Sequence, residues 1–278
     1  PRVGKKILAT GNGRCNFTNI NADINCYHGN NPRFAHEALE LFSVADTIRF
    51  FEKLGIEHKV EDLGKVFPMS DQASSILDVL FYELNSLRVN ILDEVLINDI
   101  VKKDDEFIVT LENGCLYRAD RVIIACGGKA MPSSGSDGRG YDLAIRMGHS
   151  ITDVFPALVQ LKLEGKFFKR IAGVKLVGSA EIICGNKLVA HDRGDILFAD
   201  YGVSGPPILQ ISRKAGELLK AGLRPQLKLN IMDTKSRDEL LKLVRKRVQT
   251  NSEKAIDFGM VGMINKRLIP VILALAGV

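Results

Sequence analysis

Arg121-Val122-Ile123-Ile124-Ala125-Cys126-Gly127-Gly128 is the run on which the fold turns. Val122 to Ala125 offer no polar position to water, so the pattern predicts a strand covered on both faces, as in a parallel sheet flanked by helices. It empties into Gly127 and Gly128, where a backbone without Cβ atoms lets a ligand approach, and open α/β sheets place ligands at the carboxyl ends of their strands. Upstream, Val95, Ile97, Phe107, Val109 and Leu111 follow strand spacing around Asp104-Asp105 and Asn113-Gly114, which predicts a β-meander. Downstream, Gly135-Ser136-Asp137-Gly138-Arg139-Gly140 precedes a helical pattern, Tyr141, Ala144, Ile145 and Met147, that stops at Gly148. That helix start reads in two ways: as receptive to an anion, or as a cap in which Asp137 accepts amide hydrogen bonds and no ligand is near.

A second informative stretch is Gly4-Lys5-Lys6-Ile7-Leu8-Ala9-Thr10-Gly11-Asn12-Gly13-Arg14-Cys15-Asn16-Phe17-Thr18-Asn19. Glycines at positive φ, cations and small polar residues suit a loop pressed against a phosphorylated cofactor, and equally suit a plain turn. A nucleotide-binding G-x-G-x-x-G needs a third glycine, but Asn16 stands there, and residues 1–6 supply no apolar strand before it. Cys15 beside Arg14 is either a thiol activated by the cation or a small packed residue.

Working outward, residues 32–54 read as helical, with Asp46 as the N-cap of a second segment carrying Ile48, Phe50, Phe51 and Leu54 before Gly55. Ser70 or Asp71 is the expected cap of a helix bearing Ile76, Leu77, Leu80, Leu84 and Leu87. After Phe155 short β-like runs at residues 159–163, 175–183, 187–190 and 196–198, separated by glycines, indicate a β-rich domain. Pro206 and Pro207 fit the first turn of a helix over residues 208–219, a strand follows at 227–231, and helices fill 237–249 and 260–276.

With 278 residues and 46% hydrophobic content, the chain can bury a sizeable core. A net charge of +5 favours anionic ligands mildly and is too small to argue for nucleic acid. Cations in residues 235–254 read as the solvated face of a helix. The cysteines Cys15, Cys26, Cys115, Cys126 and Cys184 lack metal or dithiol spacing, so reduced thiols and no metal are expected. No leader or run of about 20 apolar residues is present, so the expected location is the cytoplasm, with no membrane partner. The start at Pro1 and the end just after the apolar residues 268–276 both read as cut. The five histidines share no motif spacing, and Ser204 in Gly202-Val203-Ser204-Gly205 lacks one residue of the hydrolase elbow. No catalytic acid or base is assigned.

Several motifs together resemble the bacterial NAD(P)/FAD-dependent oxidoreductases of the aminoacetone oxidase family, which include bile-acid enone reductases. They are residues 4–19, Ala125-Cys126-Gly127-Gly128-Lys129, Gly135-Ser136-Asp137-Gly138-x-Gly140-Tyr141, Gly64-Lys65-Val66-Phe67-Pro68-Met69-Ser70, Pro156-Ala157-Leu158-Val159, and residues 194–206. The resemblance covers essentially the whole chain. It implies an α/β fold: an incomplete FAD-binding, Rossmann-like two-dinucleotide-fold core over residues 1–155, an inserted β-rich, barrel-like domain over 156–232, and a helical segment over 233–278. It implies FAD as cofactor, a small organic substrate that exchanges hydride with the flavin, and NAD(P)H as candidate electron donor. By motif position, Gly4, Lys5 and Lys6 would follow the acid-ended second strand, and Thr10, Gly11, Gly13, Arg14, Cys15 and Asn16 would approach the flavin and pyrophosphate. Val95 would face the adenine, while Ala125, Gly127 and Gly128 would close over the cofactor. The family's N-terminal strand and glycine-rich helix would precede Pro1, so a truncated, inactive remnant serving as a folded or binding module is the alternative. Asp200 stands where the family carries a histidine before Tyr-Gly.

Overall fold

The computed structural model describes residues 3–29, 31–250 and 253–278, and the chain divides into two compact units, Pro1–Thr152 and Asp153–Val278. Pro1, named above with the residues before the loop, lies outside the described residues.

The first unit opens with α1 (Lys5–Ala9), and a three-residue-per-turn segment over Thr10–Gly13 carries the chain into β1 (Thr18–Asn19). Short helices α2 (His36–Leu41) and α3 (Val44–Lys53) follow. The cap of α3 is Ser43 instead of the expected Asp46. Ser43 accepts from the Asp46 amide while the Asp46 carboxylate accepts from the Ser43 amide, the reciprocal pair of a capping box. β2 (His58–Val60) and β3 (Lys65–Pro68) complete an antiparallel sheet of order β1-β3-β2. α4 (Ala73–Ser86) starts without a side-chain cap, so neither Ser70 nor Asp71 plays that part. It buries Ala73, Ile76 and Leu77.

The expected meander forms as β4 (Ile97–Lys103), β5 (Glu106–Leu111) and β6 (Leu116–Ala119), paired antiparallel. The run at residues 121–128, however, is not a strand, and Ile123 is 89% exposed. A strand needs a ladder to satisfy its backbone, and none of the three sheets among the described residues borders this run or contains a parallel pair. α5 (Arg139–Arg146) closes the unit, entered through Gly138 at φ 94°.

The second unit is built on one open antiparallel sheet. β7 (Leu161–Lys162), the single turn α6 (Phe168–Ile171), β8 (Lys175–Cys184), β9 (Lys187–Ala199) and β10 (Gly202–Ser204) lead into α7 (Pro206–Lys220) and β11 (Gln226–Asn230), with strand order β11-β8-β9-β10-β7. The two runs expected at 187–190 and 196–198 are one strand. Among the described residues β7 and β11 stand at opposite edges of this sheet, and a two-residue β7 offers little ladder for the barrel-like closure expected of this domain. α7 starts with Pro206 and Pro207 in its first turn, as expected. It lays Ile208, Ile211 and Ala215 on a core with Ala180 and Ile182 of β8 and Ile196 and Phe198 of β9. α8 (Arg237–Thr250), α9 (Ile256–Gly259) and α10 (Ile269–Ala276) are the last helices, and α10 is shorter than the expected 260–276. Leu268 and Val271, at and within α10, enter this same core.

Candidate functional site

The residues singled out in the first unit are sorted by backbone conformation. Gly4 caps α1 at φ 82°, and a Cβ there would lie 2.3 Å from Leu77 Cδ1, so this glycine serves the packing of α1 on α4. Lys5 and Lys6 are exposed on α1. The Thr10 hydroxyl donates to the Ile7 carbonyl at 2.7 Å, closing the helix end. Gly11 and Asn12 then take consecutive left-handed conformations, φ 55° and 58°. A Cβ on Gly11 would meet the Asn16 backbone nitrogen at 2.6 Å and the Phe67 ring at 2.9 Å, whereas the same position on Gly13 faces open space.

Cys15 is 6% exposed and packs with Ile56, Ala73 and Ile76. Of its two readings, the packed one is realised. Thiol reagents are therefore expected to modify the exposed Cys26, Cys115 and Cys126 quickly and Cys15 only on unfolding, which a timed Ellman assay with peptide mapping checks. Rapid labelling of Cys15 in the native protein would contradict the packing. The Asn16 amide donates to the Thr18 and Val66 carbonyls, both at 3.0 Å, and pins the loop to β3.

Arg14 is the one cation of the loop held in place by a network. Its guanidinium carbon lies 4.0 Å from the Phe67 ring centroid, and its Nη1 donates to Glu61 at 2.8 Å and Asp71 at 3.3 Å. Lys59 reaches the same two carboxylates, at 3.4 Å from Glu61 and by a direct hydrogen bond to Asp71. Lys59 and Glu61 lie two residues apart on the β2 ladder and its extension, so they share a face. The hydrogen bond from Arg14 holds Glu61 below its ordinary range, and that from Lys59 does the same for Asp71. In return Glu61 raises Arg14 and Asp71 raises Lys59.

These shifts fix a pH dependence. The carboxylates contribute stability above their ordinary values of 4.5 and 3.8, and lose it as pH falls through the lowered folded values. The cations' contribution is present below their ordinary values and is lost only at alkaline pH. The groups are part-exposed, so the effect is modest and screened by salt. Urea midpoints of wild type and the Glu61→Gln/Asp71→Asn double variant are expected to differ at neutral pH and to converge in acid; a difference that grows on acidification would contradict the assignment.

Beside this network is an open cavity of about 680 Å³, within the size range of small-molecule sites, lined in part by Gly11, Arg14, Asn16 and Phe67. Its wall also carries Glu61, Asp62 and Lys65, so two cations face two carboxylates. The lining is thus balanced in charge, and Arg14 is already engaged by acids. For the FAD that the resemblance implies, these residues fit the flat ring end better than the pyrophosphate, which would have to compete with Glu61 and Asp71 for Arg14.

Gly127 and Gly128 belong to a different arrangement. A Cβ on Gly127 would lie 3.0 Å from Ser136 Oγ and one on Gly128 2.7 Å from the Tyr141 hydroxyl, while a Cβ on Gly140 would lie 2.2 Å from Cys126 Sγ. The segment is clamped against the start of α5, where Asp137 accepts from the Arg139 amide at 3.1 Å. Ala125 is exposed beside it, and Val95 is exposed in the loop before β4. Of the sequence candidates, then, Gly11, Arg14 and Asn16 are brought to one cavity, and Thr10, Cys15 and Gly4 turn to internal bonds and packing. Glu61, Asp71 and Lys59 were missed; the alternation of Lys59 and Glu61 next to the Gly64–Ser70 motif was the available signal. Among the described residues no group of His, Cys, Asp and Glu could hold a metal, and no helix is long and apolar enough to cross a membrane.

Comparison with known proteins places these features in context. The family described as "HI0933-like protein Rossmann domain" matches residues 1–267. The chain is 39% identical over 278 residues to the 3-dehydro-bile acid delta(4,6)-reductase of Clostridium scindens, covering 99% of this chain and 66% of that protein. It is 31% identical to the ribosomal RNA dihydrouridine synthase of Escherichia coli, over 82% of this chain and 57% of that protein. Against the Haemophilus influenzae enzyme of the same name it is 30% identical, over 76% of this chain and 53% of the relative. The chain therefore spans between about half and two thirds of the length of these curated relatives.

Proposed function

The chain belongs to the HI0933-like protein Rossmann domain family, and from that membership we propose that it forms part of an FAD-dependent oxidoreductase acting on a small organic substrate. The observation that carries this reading is the 39% identity, over 99% of the chain, to a reductase of bile-acid enones. A conjugated ketone on an apolar ring skeleton is accordingly the proposed substrate class, and NAD(P)H the proposed donor. Bound FAD would supply two-electron exchange with the substrate. The chain's own part is to receive the cofactor. Gly11 permits close approach, the Arg14 guanidinium presents a flat surface over the buried Phe67 ring, and Glu61 and Asp71 hold that guanidinium in position. Gly127 and Gly128 are proposed to offer backbone to the same cofactor, with Lys5, Lys6 and Val95 at its outer edge.

Purified intact protein is expected to show flavin absorbance that bleaches anaerobically with NAD(P)H. In Arg14→Ala, flavin affinity should fall by about tenfold, the cost of one lost interaction with a fixed cation. A protein that stays colourless with added FAD would instead favour a folded or binding module without flavin, and unchanged affinity and bleaching in Arg14→Ala would remove Arg14 from the site.

A further inference from the structure

The second unit contains a cavity that the flavin reading does not use. Between the sheet and the last helices is a space of about 510 Å³ whose wall includes Phe198 of β9, Leu229 of β11 and Val271 of α10. Beside it is a smaller space of about 270 Å³ bounded by α8, α9 and α10. Val244, Met260 and Ile272 line both, so the two spaces share a wall. Met232, Met260 and Met263, three of the six methionines in the chain, line the larger space. Thioether side chains rearrange at low cost, which makes this partition adaptable.

Charge gives the site a direction. The described lining of neither space contains an aspartate or glutamate, and the larger space is apolar apart from Asn230, whose side-chain oxygen already accepts from the Met232 amide. The charged lining residues, Arg247 and Lys254, both belong to the smaller space. Arg247 donates to the Gly259 and Val261 carbonyls at 3.0 Å, bracing α9, while Lys254 lies with its ammonium 5.6 Å from the Phe258 ring. An apolar chamber that shares its wall with a space bearing the exposed Lys254 matches a molecule with an apolar body and an anionic head.

We propose that the second unit binds an amphipathic carboxylic acid, its apolar body between the sheet and α10 and its carboxylate toward Lys254. Binding at this site uses residues of the second unit alone and does not rest on the flavin reading: a protein that takes up no FAD would still bind the acid.

The test uses the intact protein and cis-parinaric acid, a fatty acid whose fluorescence rises in apolar surroundings, with its methyl ester as the uncharged comparison. A saturable rise is expected, with the acid bound about tenfold more tightly than the ester, as one charge-assisted hydrogen bond provides. Lys254→Gln should abolish that preference while leaving ester binding unchanged. Val244→Trp, which fills the shared wall, should weaken both probes by about tenfold or more, and Met263→Trp decides the matter should Val244→Trp fail to fold. Absence of a saturable rise, equal binding of acid and ester by the wild type, or full binding by a folded tryptophan variant would each overturn the proposal.

Discussion

Replacing Gly205 by alanine is expected to destabilise the second unit by about 4 kcal/mol or more, a large part of the roughly 5–15 kcal/mol that holds a typical domain together. Gly205 has φ 108°, and a Cβ there would lie 2.0 Å from the Asp195 carbonyl oxygen and 3.3 Å from the Ile196 Cα. Both atoms are backbone of β9, the middle strand of the sheet, so no flexible side chain can move aside. Either α7 lifts from the sheet or β9 bends and loses register with β8, and each exposes the Ile196, Ile208 and Ile211 packing. Gly222→Ala is the control: its φ is 74°, but nothing lies within 4 Å of the added Cβ. That change should cost only the conformational strain, about 1–3 kcal/mol. Urea denaturation followed by circular dichroism separates the two. Equal losses would show that strain alone matters at Gly205 and that the packing against β9 yields.

The second large effect is expected at Gly11, and it is read in cofactor binding. An alanine there would need room already held by the Asn16 backbone nitrogen and the Phe67 ring. Displacing Asn16 loosens the bonds from its amide to Thr18 and Val66, and displacing Phe67 removes the surface beneath Arg14. FAD affinity of the intact protein should fall by well over about tenfold, because both the loop and the stacked pair are disturbed together. Gly13→Ala, with open space at its Cβ, should cost far less. Flavin fluorescence titration of the two variants checks this. A Gly11→Ala protein that binds FAD like wild type would place the cofactor away from this loop.

What could be read in the chain before folding follows from how local each signal is. The β4-β5-β6 meander was legible because Asp104-Asp105 and Asn113-Gly114 are turn chemistry inside short apolar alternations. α7 was legible from Pro206 and Pro207. The polar stretch His191-Asp192-Arg193 hid the continuity of β9, since its residues lie in a paired ladder with β8 whose existence no local pattern reveals. The run at 121–128 failed for the opposite reason: its composition reports what a strand would need on both faces, and pairing is a property of neighbours. In the cavity, Gly11, Arg14 and Asn16 announced themselves as an unusual loop. The acids that position Arg14 did not, since Glu61 and Asp71 are 47 and 57 residues away and arrive only through the order β1-β3-β2.

The same nonlocality changes what the loop can offer a ligand. As sequence it offered Lys5, Lys6 and Arg14 as cations for a phosphate. Folded, the lysines lie out on α1 and Arg14 is paired with two carboxylates over an aromatic ring. Such a group contributes shape and fixed polarity more than net charge, which is why the ring end of the cofactor is the one proposed for this loop.

The cavity bounded by Gly11, Arg14, Asn16 and Phe67 is proposed to receive that ring. A crystal structure of the intact protein with FAD bound tests it most directly. Isoalloxazine density is expected in van der Waals contact with this loop and with the Arg14 guanidinium over Phe67, with Glu61 and Asp71 still bonded to Arg14; isoalloxazine density elsewhere, with this cavity holding solvent or the pyrophosphate, would rule the placement out.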